Sequence, residues 1–197
     1  GRRCHFIQNP SPPSYILSGL EWKGDEMVSG QMKVFIGMET SGELRRRFRA
    51  KGHDVVSVDV LPAEDDGVGH IVDDVFDGLM VLVGLGFYPD LAIFHPTCTY
   101  LTISAAWAFK DPDYLRYPNI GYHQKIKPGT LTGQQRRDAQ QNALDDVKKI
   151  IELPIQRKVI ENPISAINTK IRKPSQIIQP YQFGDDASKA TCLWLID

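Results

Sequence analysis

The chain has 197 residues, 42% of them hydrophobic, with 23 Lys and Arg against 24 Asp and Glu and a net charge of −1. That is the composition of an ordinary soluble domain long enough to bury a sizeable core. It gives no global electrostatic reason for a nucleic-acid partner, which must be argued from local patches. Three cysteines, Cys4, Cys98 and Cys192, form neither a disulfide framework nor a zinc pattern, so no metal is expected and a reducing, cytoplasmic setting fits best. No apolar run approaches the roughly 18–20 residues of a membrane span, and nothing resembles a signal peptide.

Residues 1–31 contain "NPSPPS" and show no period, and Met27 or Met32 would suit a start. They are expected to be a poorly ordered or non-native tail before a domain spanning 32–197. "KVFIG" (33–37) is a short buried-strand run closed by glycine. In the following stretch Thr40 and Glu43 have capping-box spacing, Leu44 and Phe48 lie one turn apart, and Gly52 suits a left-handed helix end. Strands are predicted over 54–60, 71–75 and 90–94. A long helix follows over 134–153, with Ala139, Ala143, Leu144, Val147, Ile150 and Ile151 on one stripe and a capping box from Thr132 and Gln135. Further strands are predicted at 157–162 and in "TCLWL". The chain stops there with no closing element, as a domain cut short would. Alternating strands and helices predict an α/β fold with a doubly wound, mostly parallel sheet, whose ligands sit outside the carboxyl ends of the strands.

The residues directly following each apolar run are therefore the candidates: Gly37, Glu39, Ser41, Gly42, Asp59, Asp73, Asp74, His95, Pro96, Cys98, Glu161 and Asn162. "GMETSG" lacks the dinucleotide fingerprint, but an acid about 20 positions later, Asp59, suits a ribose; the plain alternative is a solvated strand-end aspartate. Asp73 and Asp74 read equally as turn residues. Cys98 is a buried small hydrophobe, a metal ligand or a nucleophile. Its place in "HPTCT", among proline and polar residues, favours an exposed thiol. Glu161 closing a buried strand is hard to explain by packing, whereas Asn162 also reads as a turn residue. Residues 107–137 interleave aromatics with cations; Trp107, Lys125, Lys127, Arg136 and Arg137 would stack bases and contact phosphates, unless the segment is simply a long surface loop.

These residues resemble, in order and spacing, the cytosine-5 DNA methyltransferase family. "VFIGMETSG" is similar to its first motif, Phe-x-Gly and a small-residue turn, which places Phe35, Gly37, Glu39, Ser41 and Gly42 at S-adenosylmethionine. Asp59 falls at the ribose contact and Asp74, in "DDV", near the adenine. "PDLAIFHPTCT" resembles the run ending in Pro-Pro-Cys-Gln, with Pro96 beside the cofactor and Cys98 as nucleophile. "QQRRD" resembles the short arginine motif, with Arg136 its equivalent, and "VIENP" the Glu-Asn-Val motif. The resemblance covers about residues 32–195 and is closest to a compact, often phage-encoded branch with "QPYQFG…KATCLWL" endings. Departures are Glu39 and Thr40 in place of glycine, His95 and Thr97 in place of Gly and Pro, and Lys189 and Thr191 where two arginines are expected. No target-recognition segment is expected after this run.

The resemblance implies a Rossmann-like S-adenosylmethionine-dependent fold and methyl transfer to carbon 5 of cytosine in DNA. Cys98 would add to carbon 6, making carbon 5 nucleophilic. Glu161 would bind nitrogen 3 and the exocyclic amine, and Lys189 would assist at the carbonyl oxygen. Two rivals remain: a transferase acting on a pyrimidine nucleotide, and a non-catalytic relative that binds nucleic acid without turnover.

Overall fold

The computed structural model describes residues 30–102, 104–184, 186 and 188–197. The tail expected over 1–31 therefore lies outside the described residues, except for Gly30 and Gln31. In chain order the elements are β1 (Lys33–Gly37), α1 (Glu43–Ala50), β2 (Asp54–Asp59), β3 (His70–Val72), α2 (Val75–Gly84), β4 (Leu91–Phe94), α3 (Gly133–Glu152), β5 (Lys158–Pro163), α4 (Ile167–Lys170), β6 (Gln176–Ile178) and β7 (Thr191–Ile196). They build one seven-stranded sheet ordered β3-β2-β1-β4-β5-β7-β6. The first five pair in parallel, while β7 runs antiparallel to both β5 and β6. The α/β, mostly parallel architecture expected from the sequence is present and is compatible with a Rossmann-like fold.

Alternation along the central strands explains the layers. Val34 and Ile36 of β1 join Val55 of β2 in one cluster, capped by Leu44 and Phe48 of α1. Phe35, Val56 and Val58 point the other way, into a larger cluster with Leu79 and Leu82 of α2 and Leu144, Val147 and Ile150 of α3. A strand with both faces covered reads as a continuous apolar run, which is why "KVFIG" and "DVVSVD" were recognisable. Gly78 of α2 permits close approach to β2, because a Cβ there would meet Val58 Cγ1 at 2.7 Å.

Several local expectations need correction. The Thr40–Glu43 capping box does not form: Thr40 Oγ1 donates to Glu64 Oε1 at 2.6 Å, and the chain enters α1 through Gly42 at φ 70. Gly52 does adopt the left-handed conformation, at φ 84. Thr132 precedes α3 as expected, yet makes no side-chain capping bond. The second strand stops at Asp59, one residue early. The third is His70–Val72 rather than 71–75, because Asp74 caps α2, accepting from Phe76 N at 2.9 Å and Asp77 N at 3.4 Å. No helix of the described residues is long and apolar enough to cross a membrane, and none of their His, Cys, Asp and Glu side chains form a group able to hold a metal.

Candidate functional site

The strand order reverses between β1 and β4: β2 and β3 extend the sheet to one side, β4 and β5 to the other. Ligands of open α/β sheets bind beyond the carboxyl ends at such a point. Register decides which residues meet there. Gly37 pairs with Phe94, and Phe94 with Ile160. One residue further, His95 must stand beside Glu161; two further, Pro96 beside Asn162.

Both contacts are made. His95 Nδ1 lies 3.2 Å from Glu161 Oε2, with about a quarter of each side chain exposed (23% and 29%). With the carboxylate ionised, Nδ1 is the protonated nitrogen, which leaves Nε2 bare in the neutral ring. Asn162, 1% exposed, donates from Nδ2 to Pro96 O at 2.6 Å. A hydrogen-bonded amide reaching between strand ends is a clamp, not a turn residue.

Cys98 is exposed on the turn after this clamp, and its carbonyl accepts from Leu101 N and Thr102 N at 3.0 Å each. The turn is tied to the segment after Glu161: Ala166 N donates to Leu101 O at 2.7 Å, and Thr102 bridges to Ser165. From α3, Arg136 donates to Thr99 O at 2.9 Å and Gln140 to Tyr100 O at 2.9 Å. Arg136 is only 4% exposed, and its guanidinium lies 4.8 Å from the Phe109 ring centroid. Arg137 donates to Phe109 O at 2.7 Å and Asp111 Oδ1 at 2.8 Å. Both arginines therefore brace the loop that carries Cys98. Of the other predicted nucleic-acid residues, Lys125 and Lys127 are exposed, and half-buried Trp107 packs edge-on to Tyr122 and His123.

The turn after β1 is equally constrained. Gly37 is enclosed by Val75 and Phe94, and Phe35 is wholly buried beside Phe94, ring centroids 5.6 Å apart. Met38 holds φ 62, unusual for a side-chain-bearing residue. Ser41 Oγ donates to Glu39 Oε1. At Gly42 a Cβ would lie 2.0 Å from Asp65 Oδ2, so the φ and the space both demand glycine. Asp65 organises this region and was missed from the sequence. It accepts from Gly67 N at 3.0 Å, from the fully buried Arg45 and from Arg46 at 2.8 Å. Gly67's amide and the two guanidiniums hold its carboxyl at about 2. The signal available was "EDDG", an acid two residues before a turn glycine.

Asp59 Oδ1 accepts from Leu61 N at 2.9 Å; its other oxygen has no partner among the described residues. Asp74 is exposed at the start of α2. Lys189 is exposed two residues before Thr191, which pairs with Pro163, so it lies at the same end of the sheet as Glu161.

Buried polar atoms are nearly always hydrogen-bonded. Among the described residues the buried side-chain atoms without a partner include Arg45 Nε, Arg136 Nε and Gln179 Oε1, which lie elsewhere, and four others: Glu39 Oε2, His95 Nε2, Asn162 Oδ1 and Ser165 Oγ. These four stand at the ends of β1, β4 and β5, where a bound ligand would supply the missing bonds. The arrangement offers an exposed thiol, a carboxylate hydrogen-bonded to an imidazole, and unmet polar atoms at the carboxyl ends of neighbouring strands. No protein-family model, curated protein or solved structure matches the chain.

Proposed function

We propose that the chain transfers a methyl group from S-adenosylmethionine to carbon 5 of cytosine in DNA through a covalent Cys98 adduct. The observation that carries this reading is the coupling of the Cys98 turn to the Glu161 strand end. The Asn162–Pro96 clamp and the Leu101–Ala166 bond hold the two side chains in one frame at the switch point. The residues present also fit the cofactor: buried Glu39 Oε2 would accept from the methionine ammonium, and the free Asp59 oxygen from ribose hydroxyls. When bound, S-adenosylmethionine supplies an electrophilic sulfonium methyl.

In the reaction Cys98, as thiolate, adds to carbon 6 of the ring and makes carbon 5 an enamine carbon able to take the methyl group. Glu161, carrying a proton on Oε1, passes it to nitrogen 3 as Cys98 adds and accepts from the exocyclic amine, while Oε2 faces His95. Stabilising the charge created by addition is the larger electrostatic contribution. Water then takes the carbon 5 proton, the Cys98–carbon 6 bond breaks to regenerate the thiolate, and nitrogen 3 returns its proton to Glu161. In duplex DNA the base must first be extruded, at a cost of a few kcal/mol.

A second reading, a transferase acting on a free pyrimidine nucleotide, is favoured by the burial of Arg136, whose guanidinium is spent on Thr99 O rather than presented to a phosphate backbone. The test is trapping: with S-adenosylmethionine and DNA carrying 5-fluorocytosine, a denaturation-resistant adduct is expected that Cys98→Ser abolishes. Cofactor binding without an adduct would move the chemistry to the nucleotide, and absence of both would leave a non-catalytic protein.

A further inference from the structure

Beside the Cys98 turn a cleft of about 830 Å³ opens between the 101–109 segment, α3 and α4. That size lies within the roughly 300–1,000 Å³ of small-molecule sites. Its walls are continuations of the two catalytic segments: Leu101 and Thr102 follow Cys98, Ile164 and Ser165 follow Glu161, and the Thr102–Ser165 bridge joins them. The floor is apolar, with Leu101 fully buried and Ala166 8% exposed. On the wall, Ser165 is 3% exposed and its hydroxyl has no partner among the described residues.

At the rim, Gln140 is oriented by its bond to Tyr100 O, so that its Oε1 accepts from exposed Lys170 Nζ at 3.0 Å. Lys170 has no carboxylate within ion-pair distance among the described residues. The lining carboxylate, Asp138, instead accepts from Gln134 Nε2 at 2.6 Å. An apolar floor, an unmet hydroxyl and a rim cation suit a base with its attached phosphate.

We propose that this cleft binds the nucleotide adjoining the target cytosine in the same strand, so that the substrate is a polynucleotide and the neighbouring base contributes to its selection. The proposal rests on the methyl-transfer reading and deepens it. A base bound one step from the target would share the frame that fixes Cys98 against Glu161. It would also place Lys170 and the cleft-lining Arg137 at the intervening backbone, whereas Arg136 is buried.

The experiment compares adduct formation on 5-fluorodeoxycytidine monophosphate with that on a single-stranded oligodeoxynucleotide carrying one 5-fluorocytosine between randomised flanks. The expected result is an oligonucleotide rate at least about tenfold above the monophosphate rate, the effect of one stacked base. One flanking position should also be non-random in the trapped pool. Thr169→Trp, at an exposed lining position, and Lys170→Glu should each lower that ratio about tenfold. Equal rates on the two probes, or a ratio unmoved by both variants, overturns the proposal while leaving methyl transfer standing. No adduct on either probe overturns the methyl-transfer reading and this proposal with it.

Discussion

Replacing Asn162 by alanine tests the clamp between the Cys98 turn and the Glu161 strand end. Asn162 is 1% exposed, and its Nδ2 sits 2.6 Å from Pro96 O, two residues before Cys98. Removing the amide leaves a buried carbonyl without a donor, a loss of about 1–3 kcal/mol, to which the small void adds. A total near 2–3 kcal/mol lowers the melting temperature of a chain this long by roughly 4–10 °C. The chemical effect should be larger, since misplacing a reacting group by about 1 Å costs up to ~100-fold in rate. The assay is paired: thermal unfolding, and adduct formation on 5-fluorocytosine DNA. Asn162→Asp should be worse than alanine, because its carboxylate faces the Pro96 carbonyl and has no donor to offer. An alanine variant that melts and traps like the wild type would refute the clamp. An aspartate variant equal to the wild type would show that the hydrogen bond is not what joins the segments.

His95→Phe keeps ring area but removes the partner of Glu161. Loss of a charge-assisted bond worth about 1.5–3 kcal/mol should slow trapping roughly 10–100-fold with an unchanged circular dichroism spectrum, and an unchanged rate would show that Glu161 needs no partner. Arg136→Ala strips the brace from Thr99 O and from the Phe109 ring. It should destabilise by about 3 kcal/mol, as breaking a buried network does, with limited proteolysis cutting first between Cys98 and α3; cleavage elsewhere would refute the bracing role. Asp65 titrates at about 2 in the fold, below its usual 3.8. Its stabilisation is therefore complete above about pH 4 and is lost as pH falls towards 2. Asp65→Asn should lower stability at neutral pH and flatten this acid limb; a limb as steep as the wild type's would place the proton uptake on other carboxylates.

The candidate site was legible where burial ends abruptly. Phe94 to His95 and Ile160 to Glu161 are transitions from a strand interior to a crevice, and they show in the sequence because covered strands are apolar on both faces. Helix α2 was not legible: "VFDGLMVLVG" is apolar on every side, carries two glycines and three valines, and has no 3.6-residue contrast to detect. Strand direction has no signature in a short apolar run, so the reversal of β7 had to come from pairing. The three-residue β6 is too short to announce itself. Arg136 looked like part of a solvent-facing basic stretch, and its burial depends on the Phe109 and Tyr100 rings and the Thr99 carbonyl, all distant in sequence. Thr40 had the spacing of a helix cap, but its bond to Glu64 depends on a loop 24 residues away.

The geometry of the site follows from the core rather than from the loops. Phe94, Ile160 and Trp194 are each fully buried and level across β4, β5 and β7. That layer sets the register, and the register places His95 beside Glu161 and Pro96 beside Asn162. Along β5 the burial alternates, Ile160 and Asn162 inward and Glu161 outward. A slip of one residue would exchange the two, sending a carboxylate into the position now 1% exposed and the amide into the crevice. Burying an unpaired carboxylate costs far more than any single hydrogen bond returns. The hydrophobic layer and the polar pair therefore exclude the same error, and the carboxylate paired with His95 is held at its position by the packing beneath it.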